Sequence, residues 1–222
     1  MHPPMIDWQN INTALLDMDG TLLDLNYDNY FWQEYVPMHY ARQQGLDIDE
    51  AKRLLAPRYR AVEGTIDWYC VDYWSASLNL DIALLKEEIA HLIAVHPHVT
   101  DFLVSLRNAG KRAVLVTNAH HKSLALKMGH TRLAGHFDRV VCAHDFGMPK
   151  EDIAFWEHLH KIEHFNPYTT LLIDDNHNVL RTARQYGIHH LLAVHRPDTQ
   201  KAGKTTEEFQ IIYSFKDVIP AK

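Results

Sequence analysis

Two carboxylates stand two residues apart at the end of an apolar run. Asp17 and Asp19 follow Leu15-Leu16 and lead directly into Gly20-Thr21. In an extended segment residues i and i+2 point to the same side, so both carboxylates can converge on one ion or reacting atom where the strand ends. A glycine at this point permits a sharp turn. The arrangement indicates chemistry on a phosphate.

Three later segments place polar residues beyond predicted strands: Thr117-Asn118, Lys150 at the start of the helix that follows the strand at 139–143, and Asp174-Asp175. Ligands of parallel sheets bind beyond the carboxyl ends of the strands, so these residues should share one site with the first pair. Carboxylates suit magnesium, a hydroxyl and amides suit phosphate oxygens, and an ammonium neutralises charge. Two adjacent acids repel each other unless a cation joins them, whereas a helix N-cap needs only one.

The elements that must position these residues alternate along the second half of the chain. Strands are predicted at 112–118, 139–143, 169–175 and 188–194, and the tail from 201 gives no clear pattern. Helices are predicted at 99–109, with Thr100 as N-cap and Gly110 as stop, then at 121–133, at 151–164 and up to Gly187. This alternation predicts an α/β fold with βα units on a mainly parallel sheet.

The segment from 25 to 96 lacks strand signals and is helical in pattern, with Pro57 and Gly64 as breaks. Its aromatic residues are Phe31, Trp32, Tyr35, Tyr59, Trp68, Tyr69, Tyr73 and Trp74. These supply enough apolar area for a small core. We therefore predict an inserted helical domain at 25–96, with 1–24 and 97–222 forming the sheet domain.

Composition excludes several classes of protein. The 222 residues, 46% of them hydrophobic, allow one substantial core with a small accessory domain. A net charge of -6 gives no basic footprint for a nucleic-acid polymer or an anionic membrane. The segment 1–7 lacks the features of a signal peptide, and no apolar run is long enough for a membrane helix. We therefore expect a cytoplasmic protein.

Cysteine and histidine usage gives no sequence signal for a metal or disulfide site. The two cysteines, Cys70 and Cys142, form no disulfide framework or zinc-ligand pattern and fit a reducing compartment. There are 17 histidines, including the pairs His120-His121 and His189-His190, but their spacing follows no ligand rule. No feature of the sequence fixes an oligomeric state.

Taken in order, the polar segments resemble the four motifs of the haloacid dehalogenase superfamily of phosphohydrolases. The matching residues are Asp17-Met18-Asp19-Gly20-Thr21, Thr117-Asn118, Lys150 and Asp174-Asp175. The resemblance covers the whole chain and implies a Rossmann-like, doubly wound sheet with a helical cap inserted after the first motif. Five further segments resemble the bacterial GMP/IMP nucleotidases: 28–32, 67–70, 72–74, 117–120 and 146–152. They imply a small phosphorylated metabolite, a purine nucleoside 5'-monophosphate, as substrate.

The resemblance also implies a role for each acid. Asp17 would attack phosphorus and form an aspartyl-phosphate, and Asp19 would act as general acid and then general base. Magnesium would lie between Asp17, the backbone carbonyl of Asp19 and Asp175, with Asp174 bound directly or through water.

The remaining motif residues would contact the phosphoryl group. Thr117 and Asn118 would hold its oxygens, and Lys150 would pair with both the nucleophile and the transferring group. The cap would select the substrate, and a purine could stack on one of its rings. The candidates for that contact, which core packing equally explains, are Trp32, Trp68 and Tyr69.

Four alternatives stay open. Dehalogenases of the superfamily lack the second acid and need no metal, so Asp19, Asp174 and Asp175 argue against them. A phosphatase or mutase acting on a sugar phosphate or phosphoglycolate would keep the same acids. A phospho-accepting receiver module also combines these residue types but places its acidic pair first in the chain, whereas here Asp17 comes first. A catalytically inactive member of the superfamily that binds a partner through its cap would not need to retain every reactive residue.

Overall fold

The computed structural model describes residues 6–220, and its centre is a six-stranded sheet in the order β3-β2-β1-β4-β5-β6. The strands are β1 Thr13–Leu16, β2 Arg112–Thr117, β3 Arg139–Cys142, β4 Thr170–Asp174, β5 His190–Val194 and β6 Gln210–Ile212. All neighbouring pairs are parallel. Strands β1 and β4 are buried along their whole length, as expected for strands covered on both faces. The chain order reverses at β1, which places a crevice at its carboxyl end.

The predicted strands all occur, and each is one or two residues shorter than predicted. Strand β6 was missed because it is only three residues long, begins with a polar residue and lies at the edge of the sheet beside β5. The signal-peptide expectation rests mainly on residues 1–5, which lie outside the described part of the chain. Within 6–220, no helix is long and apolar enough to cross a membrane.

The segment between β1 and the first sheet-covering helix is helical. It contains α1 Asn26–Tyr30, α2 Val36–Gln44, α3 Ile48–Val62, α4 Val71–Leu78 and α5 Ile82–Glu88, with a π-helical stretch, Phe31–Tyr35, joining α1 to α2. Its buried side chains belong to the same apolar cluster as one face of the sheet. The helical segment is therefore packed on a shared core, and the domain boundaries at 25 and 96 stay predictions.

The two connections to the helical segment run side by side. Leu23 and Val95 form an antiparallel bridge. The N–H of Asp24 donates to Ala94 O at 2.9 Å, and the N–H of His96 donates to Leu22 O at 2.9 Å. These bonds fix the helical segment directly above the loop that carries the first motif.

Helices on both faces complete the doubly wound arrangement. They are α6 Val99–Asn108, α7 His121–Thr131, α8 Ile153–Ile162 and α9 His177–Tyr186. Helices α6 and α7 pack on the face that the helical segment shares, and α8 and α9 pack on the other face. Gly110 follows the end of α6 with a φ of 66°, as its predicted role as a stop requires.

One predicted N-cap and one predicted helix start are wrong, while the predicted start of α6 at Val99 is confirmed. Thr100 is not the N-cap of α6, because the helix begins at Val99 and His98 occupies the cap position in a left-handed conformation. Helix α8 begins at Ile153 and not at residue 151, because the side chain of Asp152 accepts a hydrogen bond from the N–H of Ala154 and caps it. Lys150 therefore lies in the preceding loop and not at the start of a helix.

Candidate active site

One cavity of about 700 Å3 lies between the carboxyl ends of the strands and the helical segment. Its size is that of a site for a small molecule. The cavity is lined by all the polar residues singled out from the sequence, namely Asp17, Asp19, Thr117, Asn118, Lys150, Asp174 and Asp175. The helical segment contributes the three predicted aromatic residues, Trp32, Trp68 and Tyr69. The structure thus brings all ten residues to one place.

Three of the carboxylates form a compact group at the base of the cavity. Carboxylate oxygens of Asp17, Asp174 and Asp175 lie within 4.8 Å of one another. They meet because β1 and β4 are hydrogen-bonded neighbours whose carboxyl ends are in register. The Nζ of Lys150 lies 2.5 Å from Asp17 Oδ1 and 2.7 Å from Asp174 Oδ2, and it also donates to Val116 O at 3.3 Å. All three ammonium protons therefore have acceptors.

The electrostatics of this group call for a further cation. Burial and the neighbouring charge of Asp17 raise the pKa of Asp175 to about 7. Burial also raises the pKa of Asp174 well above its ordinary value. The pKa of Lys150 is raised, because attraction to Asp17 and Asp174 outweighs the effect of burial. Even with Lys204 at 3.5 Å from Asp175, three acids outnumber two ammonium groups, and an oxygen-lined, negative site suits a hard divalent ion.

The turn after β1 packs directly against the β4 loop. Gly20 has a φ of 84°, and a Cβ atom there would lie 2.7 Å from the carboxyl carbon of Asp175. Both the left-handed conformation and the close approach therefore require glycine. The N–H of Asp175 donates to Thr21 Oγ1 at 3.1 Å. This contact holds the two acidic loops together.

The side chain of Asp19 is not part of the compact carboxylate group and pairs with a different lysine. Its Oδ1 accepts a hydrogen bond from Lys127 Nζ at 2.7 Å. The same ammonium donates to Asp28 Oδ2 at 2.6 Å, and Lys86 Nζ lies 3.1 Å from Asp28 Oδ1. Lys127 lies on α7, while Asp28 and Lys86 belong to α1 and α5. Asp19 is thus the first member of a chain of charges that reaches the helical segment.

The two acids of this chain have opposite pKa shifts. Burial raises the pKa of Asp19 to about 6, although the charge of Lys127 opposes the rise. Burial also acts to raise the pKa of Asp28, but Lys127 and Lys86 together lower it to about 2. Asp28 therefore stays ionised, while Asp19 can hold or release a proton close to neutral pH.

Thr117 and Asn118 are both buried and differ in what their side chains can offer. The Oγ1 of Thr117 accepts a hydrogen bond from the N–H of Ala119 at 3.0 Å, which leaves its own proton available to another acceptor. The Oδ1 of Asn118 accepts from the N–H of Lys150 at 2.9 Å, and its Nδ2 donates to Glu151 at 2.8 Å. Both ends of the Asn118 amide are therefore engaged in holding the loop that carries Lys150.

Glu151 connects its own loop to three other segments around the cavity. Besides Asn118, it accepts hydrogen bonds from Tyr69 Oη at 2.8 Å and Asn176 Nδ2 at 2.9 Å. The bond to Tyr69 ties the helical segment to the sheet domain. The hydroxyl of Tyr69 is thus committed to a structural contact.

Sequence reasoning missed Glu151 and Lys127. The sequence did contain a signal for the lysine. In the predicted helix, Lys127 falls three residues after Leu124 and directly before Met128. Helix periodicity therefore places Lys127 on the buried side. Its burial without a partner would cost several kcal/mol per ion, so an acidic partner was implied. Glu151 directly follows Lys150, but nothing in its spacing distinguishes it from an exposed loop residue.

The aromatic residues of the cavity differ in how deeply they are packed. The ring of Trp32 lies 4.9 Å from Phe31, 5.9 Å from Tyr59 and 5.6 Å from Trp74, measured between centroids. The ring of Trp68 has one aromatic neighbour in the described residues, Tyr59 at 6.2 Å. Trp32 is therefore part of an aromatic cluster, and Trp68 is less constrained.

Comparison with known proteins agrees with the fold. The model of the haloacid dehalogenase-like hydrolases matches residues 14–193. The chain is 39% identical over 216 residues to the GMP/IMP nucleotidase YrfG of Escherichia coli K12 and to that of Shigella flexneri, covering 97% of each chain. A haloacid dehalogenase-type phosphatase from Thermococcus onnurineus has a TM-score of 0.78 at 21% identity, covering 94% of this chain and 96% of its own.

These similarities establish what class of protein this is. The chain belongs to the haloacid dehalogenase-like hydrolases. It is an enzyme of the phosphohydrolase type, and the expectation drawn from the four motifs is confirmed at that level. The solved structure, at its low sequence identity, confirms the fold alone.

Proposed function

We propose that this enzyme hydrolyses purine nucleoside 5'-monophosphates through an aspartyl-phosphate on Asp17, with magnesium as its cofactor. The observation that carries the proposal is the separation of the two first-motif acids into different environments. Asp17 is paired with a lysine among other acids, whereas Asp19 has a pKa raised to about 6. Two acids with such different surroundings suit the separate tasks of nucleophile and proton carrier.

In the first step an oxygen of Asp17 attacks phosphorus, and the bond between phosphorus and the ribose oxygen breaks. Asp19 gives its proton to that departing oxygen. In the second step Asp19 takes a proton from a water molecule, whose oxygen attacks phosphorus and displaces Asp17. The products are inorganic phosphate and the nucleoside, and both acids return to their starting states.

The residues of the carboxylate group would hold the magnesium ion. They are the side chains of Asp17, Asp174 and Asp175 and the backbone carbonyl of Asp19, since the Asp19 side chain is engaged with Lys127. When bound, the ion supplies positive charge that lessens the repulsion between an anionic nucleophile and an anionic phosphate. The surplus of acids over ammonium groups supports this assignment.

Lys150 and Asn118 would act together. Lys150 orients Asp17 through the bond from Nζ to Oδ1, and Asn118 holds the Lys150 loop in place through its amide. Thr117 retains a hydroxyl proton that can be donated to a phosphoryl oxygen. These assignments give Asn118 a positioning role beside its expected contact with a phosphoryl oxygen.

The substrate assignment rests on the nucleotidases that the chain resembles and on the cavity. Those relatives are named for GMP and IMP and share 39% of their residues over 97% of the chain. The cavity extends from the carboxylates to Trp68, whose ring has one aromatic neighbour in the described residues. A base stacked there would gain about 1–3 kcal/mol.

A phosphate-release screen tests the proposal. The full chain would be assayed with GMP, IMP, UMP, glucose 1-phosphate and phosphoglycolate, each with magnesium and with excess EDTA. We expect kcat/KM to be highest for GMP and IMP and activity to be lost in EDTA. Inactivity on all substrates would contradict the phosphatase assignment. Higher kcat/KM for a sugar phosphate or phosphoglycolate would contradict the purine assignment alone.

A further inference from the structure

A second group of metal-binding side chains lies where the helical segment meets the sheet domain. It consists of Cys70, His120 and His144, and one ligand atom from each lies within 4.8 Å of the others. Cys70 precedes α4 in the helical segment. His120 precedes α7, and His144 follows β3, both in the sheet domain. The group is separate from the carboxylates of the candidate active site.

His144 gives the strongest indication of a missing ligand. Its Nε2 atom is buried and makes no hydrogen bond to any group within residues 6–220. The ring also bonds to the backbone of Asn118, so that bond belongs to its other nitrogen. A histidine that donates one N–H to a backbone carbonyl and leaves the second nitrogen free has the usual form of a metal-binding imidazole.

The charge state of His144 is suited to this role. Burial and the two nearby histidines, His120 and His121, lower its pKa to about 4. The ring is therefore neutral at physiological pH, and the lone pair on Nε2 is available. An unpartnered buried nitrogen is costly in a folded protein, so a bound ion would relieve an existing penalty.

The other two members are also held in place. The N–H of Tyr73 donates to Cys70 Sγ at 3.4 Å, a contact that orients the sulfur. The ring of His120 lies 4.9 Å from that of His144, nearly perpendicular to it, and its side chain is only 11% exposed. Asp72 lies 3.7 Å from His120 Nε2, but Lys122 occupies its other oxygen. The Nδ1 of His120 accepts a hydrogen bond from the N–H of Lys122 at 3.3 Å, and a metal bound to Nε2 would displace that bond by moving the ring proton to Nδ1.

We infer that Cys70, His120 and His144 form a binding site for a borderline-soft divalent ion of the zinc class that joins the helical segment to the sheet domain. A thiolate with two imidazoles selects zinc or cobalt over magnesium. Bonds of about 2.3 Å to sulfur and about 2.0 Å to nitrogen at a tetrahedral angle place the two ligand atoms about 3.5 Å apart. The three ligand atoms lie within 4.8 Å of one another, so side-chain movements of about 1 Å would close the site. Binding transfers the Cys70 thiol proton to solvent.

The location of the site predicts its effect. His120 also lines the cavity of the candidate active site. The short segment 117–120 links His120 directly to Thr117 and Asn118, which line the same cavity. An ion bound to both parts of the chain would hold the helical segment against the strand ends. Since substrate must enter and product must leave between them, occupancy slows turnover.

Cobalt absorption tests the site directly, without relying on catalysis. The full chain would be titrated with Co2+ in the presence of saturating Mg2+, which keeps the carboxylate site filled. We expect a thiolate-to-metal charge-transfer band that saturates at one ion per chain and is displaced by Zn2+. Cys70→Ser and His144→Ala should each lose the band or weaken binding by at least about tenfold. Circular dichroism would verify that both variants fold.

The chain offers a matched control in Cys142→Ser. Cys142 is the other free thiol and lies near the group, with its Sγ 3.2 Å from Ala119 O. This variant should keep the band unchanged. The inference fails if the wild type gives no band, if the band survives in folded Cys70→Ser, or if Cys142→Ser removes it. Because these readouts are spectroscopic, a failed nucleotidase assignment would leave them unaffected.

Discussion

Asp17 and Asp19 are separated by one residue, yet they belong to two differently built networks of charge. Asp17 shares Lys150 with Asp174, and all three come from strand ends or loops of the sheet domain. Asp19 pairs with Lys127, which also pairs with Asp28 of the helical segment. The first network is thus complete without the helical segment, and the second is not.

This difference separates two properties of the enzyme. A displacement of the helical segment would leave the pairing of Asp17 intact, because β1 and β4 are neighbours in one sheet. The same displacement would remove Asp28 from Lys127 and alter the charge next to Asp19. We therefore expect the nucleophile to be insensitive to the position of the helical segment and the proton carrier to depend on it.

The largest expected effect comes from the first network. Asp17→Asn removes the nucleophile and should lower kcat by about ten-thousand-fold or more. The fold should be retained, because asparagine has nearly the same shape and removes one of three mutually repelling charges. Phosphate release and circular dichroism measure the two outcomes. A folded Asp17→Asn protein with wild-type rates would refute the assignment.

Lys150→Met tests the same network through its cation. It removes the only ammonium that contacts both Asp17 and Asp174 in the described residues. We expect kcat to fall by about a thousand-fold, because a group that orients and balances the nucleophile is lost. Magnesium should also stabilise this variant more than it stabilises the wild type. The difference between the unfolding temperatures measured in magnesium and in EDTA should therefore be larger for Lys150→Met. An unchanged kcat would remove Lys150 from the mechanism.

Lys127→Met tests the second network and should have a smaller effect. We expect a loss in kcat/KM of about ten- to a hundred-fold. Lys127 lowers the pKa of Asp19, so its removal raises that pKa, and the limb of the pH profile due to Asp19 should move to higher pH.

The matched control for Lys127→Met is Lys122→Met on the same helix. Lys122 is 55% exposed and pairs with Asp72 outside the network. Exposed pairs of this kind contribute little, so activity should stay within about twofold of wild type. A loss of rate in Lys127→Met without a shift of the pH profile would indicate a merely structural role for Lys127.

The smallest expected effect concerns the aromatic lining of the cavity. Trp68→Ala should raise KM for GMP about tenfold, because one stacking surface is lost, and should leave KM for ribose 5-phosphate unchanged. Trp32→Ala should lower the unfolding temperature, because Trp32 contacts three other rings. Equal KM changes for both substrates in Trp68→Ala would assign Trp68 to packing.

The same two networks mark how far the sequence could predict the structure. The sheet, its parallel order and the meeting of Asp17, Lys150, Asp174 and Asp175 follow from apolar runs and from the rule that ligands bind at the carboxyl ends of strands. These contacts depend mainly on neighbouring parallel strands, which place their carboxyl ends side by side. The segment at 25–96 was correctly predicted to be helical. Its aromatic residues did not indicate which of its helices would contact which part of the sheet.

The second network could not be predicted for a definite reason. Lys127, Asp28 and Lys86 lie on three different helices, and their contacts depend on how those helices pack. Helix periodicity shows which face is buried but does not identify its partner. The group of Cys70, His120 and His144 escaped for the same reason, since its members come from separate loops and follow no spacing rule.

The most direct test of this division of tasks is a rapid-mixing experiment with p-nitrophenyl phosphate. This substrate has a good leaving group, so its first step needs little help from a general acid, while the second step still needs a base. Asp19→Asn should therefore release about one equivalent of nitrophenolate per site in a burst and then nearly stop. Asp17→Asn should give no burst. A burst from Asp17→Asn, or its absence from folded Asp19→Asn, would contradict the assignment of nucleophile and proton carrier.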